Sequence, residues 1–173
     1  MNLRTSLKYG AISGGLIVAS FFIVFYIQGD DPDYSNGELV GYASMLLAFT
    51  AVFLGIKNFR DKSLGGIMTF KQAFLTGLGI VLTASVIYVM GWMIYQPYFA
   101  PDFVDKYHAA EIVKVQSNPG LSLAEKEVKI QEMKEFLEYY KKPYIMAAFT
   151  FLEIFPVGLL VTLIASFFLK KKS

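Results

Sequence analysis

Long apolar runs alternate with short charged stretches along this chain. No Asp, Glu, Lys or Arg occurs from Tyr9 to Gly29, from Leu39 to Ile56, or from Gln72 to Pro101. A fourth run, Pro143 to Leu169, carries a single charge, Glu153. A helix crossing the hydrocarbon core of a bilayer, roughly 30 Å, needs about 20 mostly apolar residues. The pattern therefore predicts four spans, over residues 9–29, 39–56, 73–96 and 143–169, and an all-α, integral membrane four-helix bundle. Arg4 and Lys8 precede the first run as they would a secretory signal. That run, however, exceeds the about 7–15 residues of a signal core and ends Tyr26-Ile27-Gln28-Gly29-Asp30, without a small-x-small cleavage site. It reads as a retained anchor.

The connecting segments differ in kind. The first, Asp30 to Glu38, is a short acidic turn whose aspartates lack the spacing of a calcium-binding loop. In the second, Gly65-Gly66 breaks the chain and Thr69 is placed to cap the helix of the third span. Its basic residues set orientation, with anionic lipid headgroups as a further use. The third, residues 102–142, is long enough to be a structure of its own. Pro101-Asp102 suits the first turn of a helix, Asn118-Pro119-Gly120 marks a turn, and Ser122 with Glu125 forms a capping box. Leu123, Ile130, Met133, Leu137 and Tyr140 make one apolar stripe, and Val104, His108, Ile112 and Val115 a weaker one. This insert is predicted to be an extramembrane helical hairpin. Its stripes are expected to pack on each other, on the first connecting segment or on another protein.

Composition narrows the class. Of the 173 residues 55% are hydrophobic and only 17% charged, too few charges for an ordinary soluble globule. A net charge of +2 supplies no basic face, so nucleic acid is not an expected partner. With no cysteine, disulfides, thiolate metal sites and cysteine nucleophiles are excluded. Charge also predicts orientation. Arg4, Lys8, Lys57, Arg60, Lys62, Lys71 and the Lys170-Lys171-Lys172 tail all fall on one side of four spans, and the acidic first loop falls on the other. Both termini are expected in the cytoplasm. Tyr9 marks the inner edge, whereas Tyr26, Tyr42, Trp92, Tyr95, Tyr98 and Tyr144 gather near outer ends, where such rings serve as interfacial anchors.

Candidate chemistry centres on Glu153. At about 1.5 Å per residue it lies roughly 15 Å into its span, where an ionisable group is costly and needs a partner. Thr50, Ser85 and Tyr88 come to a similar depth, and Pro156 marks an expected kink three residues on. Two readings stay open: a substrate or ion site at a broken helix, as transporters build, and a buried glutamate that holds helices together. Gly10, Gly14 and Gly77 thin their helices for close packing, within one chain or between copies. His108, the only histidine, has Glu111 alone nearby, so no metal site is expected. No cofactor motif or catalytic constellation occurs, and an enzyme is not expected.

Several stretches carry a resemblance that spans nearly the whole chain. They are Lys8-Tyr9-Gly10 with Gly14, Gly41-Tyr42-Ala43-Ser44-Met45, Gly55-Ile56-Lys57 with Arg60-Asp61, and Phe70-Lys71-Gln72-Ala73 with Gly77. Ala100-Pro101-Asp102-Phe103 and Phe151-Leu152-Glu153 with Pro156-Val157-Gly158 complete the set. In these the chain resembles the bacterial family catalogued as domain of unknown function 4199, small four-span proteins of the cell envelope. The resemblance implies an integral inner-membrane protein of a Gram-negative bacterium and brings no established activity. The leading expectation from the sequence is a non-enzymatic accessory or scaffolding subunit that meets a membrane or periplasmic partner through residues 102–142. Its rival is a small oligomeric transporter, a proton- or cation-coupled carrier built on Glu153.

Overall fold

A computed structural model describes residues 2–28 and 37–171. Six helices follow in order: α1 (Leu3–Gln28), α2 (Gly37–Ser63), α3 (Phe70–Phe99), α4 (Phe103–Ser117), α5 (Leu123–Tyr140) and α6 (Pro143–Leu169). Helices α1, α2, α3 and α6 are each long and apolar enough to cross a membrane. The acidic segment 30–36, and with it the calcium question, lies outside the described residues. Helix does not stop where the apolar runs stop. Helix α1 begins at Leu3, before Lys8, and α2 continues past Lys57 to Ser63. Charge limits what enters hydrocarbon, but Lys and Arg are sound helix formers and their long stems carry the charge to the interface.

The four long helices form a bundle in which α3 packs on α1 and α6, and α2 closes the opposite side against the same two. Met45, Ala48, Phe49, Val52 and Ile56, at helical spacing, turn the buried face of α2 inward. On α6 the inward stripe is Met146, Thr150, Ile154, Gly158, Thr162, Ala165 and Leu169. Fully buried Phe49, Ile80, Val81 and Ile154 meet at the centre.

Glycines decide how near the helices come. Lipid tails are as apolar as leucine, so helices in a membrane gain from close contact rather than from leaving water. A Cβ added at Gly14 would stand 2.8 Å from the Ile87 Cβ and 3.0 Å from the Ala84 carbonyl oxygen. At Gly10 it would collide with Thr83 and lie 2.8 Å from the Ile80 carbonyl oxygen. Gly77 admits Thr162 of α6, and Gly158 admits Val81 and Phe49. Gly10 and Gly14 are thus occupied by α3 of the same chain. Of the two uses expected for them, this is packing within one chain.

Both described chain ends lie where α2 turns into α3. The Ser6 hydroxyl donates to the Thr76 carbonyl at 3.5 Å, and the Met68 and Lys171 backbones exchange hydrogen bonds of 2.9 and 2.8 Å. Gly65 and Gly66, at φ 62° and 87°, make the left-handed turn this needs. Thr69 then caps α3 in a capping box with Gln72. This end of the bundle is the turn end.

At the other end α4 and α5 run back along each other. The Lys126 ammonium donates to the Gln116 carbonyl at 2.8 Å, and Lys141 pairs with Asp105 at 2.8 Å. The Ser122–Glu125 capping box starts α5. Pro101 and Asp102 form a turn instead of the first helical turn of α4, because the Phe103 amide closes back on Ala100 at 3.0 Å. Ile112, Val115, Ile130, Met133 and Leu137 are half-buried, whereas Leu123 remains 81% exposed. The pair is weakly seated: Val104 is the one fully buried residue on α4, and α5 has none.

Candidate functional site

Above the packed centre, towards the α4–α5 pair, the bundle encloses an open cavity of about 480 Å³. Residues from all six helices line it. Helix α1 brings Phe21, α2 brings Tyr42 and Met45, and α3 brings Tyr88, Trp92 and Tyr95. The α4–α5 pair roofs it with Tyr107, His108, Phe136 and Tyr140, and α6 supplies Phe149 and Glu153.

Its wall is an aromatic cluster with one carboxylate. The Phe21 ring lies 5.4 Å from that of Tyr88, 5.5 Å from Trp92 and 5.3 Å from Tyr95. Phe103 meets Trp92 edge-on at 5.2 Å, and Phe136 meets Phe149 edge-on at 5.1 Å. Glu153 follows Phe149 by one helical turn, and its neighbour Ile154 lies fully in the core. One step around the helix, about 100°, moves Glu153 off the core stripe to the cavity edge. There it is exposed, and the Tyr88 hydroxyl donates to its Oε2 at 3.5 Å.

The five residues grouped by depth separate. Tyr88 meets Glu153 in the cavity. Thr50 is exposed on the far side of α2 from the core stripe, and its hydroxyl donates to the Leu47 carbonyl at 2.7 Å. Ser85 is fully buried, makes no hydrogen bond among the described residues, and does not line the cavity. Depth along a span sets a level, but the helical period sets the face, and Thr50 and Ser85 face elsewhere. Pro156 lies inside an α6 that runs unbroken from Pro143 to Leu169, so no broken helix forms there. Its ring removes the amide that would meet the Leu152 carbonyl, one turn before the proline and next to Glu153.

The six outer aromatics fall into two groups. Tyr26, Tyr98 and Tyr144 are exposed at 88%, 79% and 67%. Tyr42, Trp92 and Tyr95 line the cavity, and Tyr95 is buried. Their spacing held the signal, since Tyr88, Trp92 and Tyr95 recur at 4 and 3 residues on one face of α3. Phe21 and Phe136 carry no such signal, because nothing local brings α1 and α5 together.

His108 sits half-buried over the cavity with its ring tilted on Phe136 at 6.2 Å. Burial lowers its pKa below the ordinary imidazole value, and Asp105 and Glu111 pull the other way. Glu111 itself binds Lys114. Among the described residues no three His, Cys, Asp or Glu side chains group as metal ligands would.

The turn end is the opposite of this. Ile56, Met68, Ala73 and Leu169 fill it, and the Arg60 guanidinium donates to the Leu169 carbonyl at 3.3 Å while pairing with Asp61 at 2.7 Å. No curated protein and no solved structure matches the chain. A family model does, over residues 8–171 and so through every helix described: the chain belongs to the family described as protein of unknown function DUF4199.

Proposed function

We propose that this is a non-enzymatic multi-pass protein of the bacterial inner membrane, both termini cytoplasmic, that takes a small molecule into the outer half of its bundle and works as a carrier. The observation that carries the reading is Glu153, exposed at the edge of an open 480 Å³ cavity. That volume is of the size that holds small-molecule ligands, about 300–1,000 Å³. An ionisable group within a span marks a pathway by default. The sealed turn end supports a state open only towards the α4–α5 side. Any pairing of copies uses faces other than Gly10 and Gly14.

The absence of cysteine makes the test clean. Ser44→Cys on the cavity wall should react with a membrane-impermeant thiol reagent added outside spheroplasts, as should Lys126→Cys on α5. Lys62→Cys should react only after permeabilisation. An unreactive Ser44→Cys beside a reactive Lys126→Cys would overturn the open outer cavity.

A second reading, an accessory subunit, is favoured by one observation. Helix α5 has no buried residue and leaves Leu123, Val128 and Tyr139 exposed. It expects deletion of residues 103–141 to spare insertion and abolish co-purification of a partner; unchanged co-purification removes it.

A further inference from the structure

We propose that the cavity is a site for a lipophilic organic cation, an alkylated or arylated onium centre whose charge sits between the Glu153 carboxylate and the ring faces of Tyr88 and Trp92. This rests on the open-cavity reading above. Charge is the first argument. None of the residues that line the cavity is Lys or Arg, and Glu153 is their one carboxylate. Burial disfavours the charged form of His108. An anion entering would meet Glu153 and find no lysine or arginine among the lining residues. A cation meets its counter-ion.

The rings are the second argument. Aromatic faces carry the negative part of a quadrupole, and a desolvated cation within about 6 Å of a ring centre is drawn to it. The Phe21 ring centre lies 5.3–5.5 Å from those of Tyr88, Trp92 and Tyr95, and Trp92 lies 6.0 Å from Tyr95, so one guest can touch several at once.

Hydration argues against calcium and magnesium. Calcium takes six to eight oxygen ligands and magnesium holds on to its water, and here a single carboxylate stands among phenols and hydrocarbon. A centre whose charge is already shielded by carbon loses little hydration on entry. Its substituents find Ile17, Val40 and Met45 on the same wall. A zwitterionic lipid headgroup fits less well, because its phosphate would face Glu153 with no basic partner among the lining residues.

Trp92 is the only tryptophan and lies in the site, so its fluorescence reports occupancy directly. Purified full-length protein in mild detergent should show a saturable change with tetraphenylphosphonium. The equally large and lipophilic tetraphenylborate, of opposite charge, should give none. Tetrapropylammonium should displace the phosphonium, and a short-chain phosphatidylcholine should not. Glu153→Gln, which keeps shape and removes charge, should weaken binding about tenfold or more. Equal response to the borate, an unchanged affinity in Glu153→Gln, or displacement by the phosphatidylcholine would each overturn the assignment. The borate comparison uses the native chain, so it stands even if the variant folds badly. A reactive Ser44→Cys with no phosphonium binding would leave the cavity reading in place and remove the cation.

Discussion

The two ends of this bundle are built from the same four helices and solve opposite problems. From the turn end to the centre, α1 and α3 touch through Gly10 and Gly14, and α3 and α6 through Gly77 and Gly158. There the glycines let backbones come close enough for dispersion to hold them. Towards the α4–α5 pair the same helices carry Phe21, Tyr88, Trp92, Tyr95 and Phe149. Rings of that size hold helices apart and pack edge to face, and the space between them is the cavity. Rigidity at one end is what lets the other stay open without collapsing. Small residues make the seal, and large ones make the site.

That contrast breaks most sharply at the glycines. Gly10→Leu should cost about 3 kcal/mol, because the Ile80 carbonyl that meets the new side chain is backbone and cannot swing away. Gly15→Leu, where a Cβ meets nothing within 4 Å, should melt like the parent. Thermal unfolding of the two variants in the same detergent measures the difference. Equal losses would mean that glycine serves α1 in some way other than close approach.

Next in size is Phe49→Ala. The ring is fully buried, and its removal leaves a hole at the centre. The unfolded reference also sits in lipid, so the transfer part of the usual penalty drops out and about 2 kcal/mol of lost packing remains. Phe136→Ala, 38% exposed at the cavity roof, should cost well under half of that and instead alter ligand response. A smaller loss, about 1 kcal/mol, is expected from Arg60→Ala, which frees the Leu169 carbonyl at the seal. Its more telling effect would be thiol reactivity of a Thr162→Cys probe from the turn end, absent in the parent and present when the seal loosens.

The spans, the capping boxes and the α4–α5 stripes were legible because each is local: an apolar run, a four-residue motif, a helical repeat. Glu153 was legible as a charge where charge is costly. Its surroundings were not, because they depend on which face each helix presents and which helix stands opposite. Thr50 shows this, sharing a level with Glu153 while donating to Leu47 on the outside of α2. Trp92 and Tyr95 show the converse, since rings at a span end serve equally as anchors or as a wall. Only the placement of Phe21 against them separates the two roles. The long reach of α5, which brings Phe136 onto Phe149, has no trace in the spacing of either.

The smallest effect tests how the roof is held. His108 has a pKa lowered in the folded protein, by burial first, with Lys141 adding to it and Asp105 and Glu111 opposing. A base whose folded pKa is depressed binds fewer protons folded than unfolded. Its contribution is therefore complete above the unfolded imidazole value of about 6.5, and is lost as pH falls from there towards the folded value. Protonation asks a half-buried ring, tilted on Phe136, to carry charge beside the cavity, and the relief is for α4 to lift. Amide hydrogen exchange along α4 should thus quicken at pH 5.5 relative to pH 7.5, after correction for the intrinsic rate, while α3 near Val81 stays unchanged. In His108→Phe the pH difference in α4 should vanish. Exchange in α4 that ignores pH in the parent would mean that the roof is held by the Asp105–Lys141 pair and Val104, and that His108 only lines the cavity beneath it.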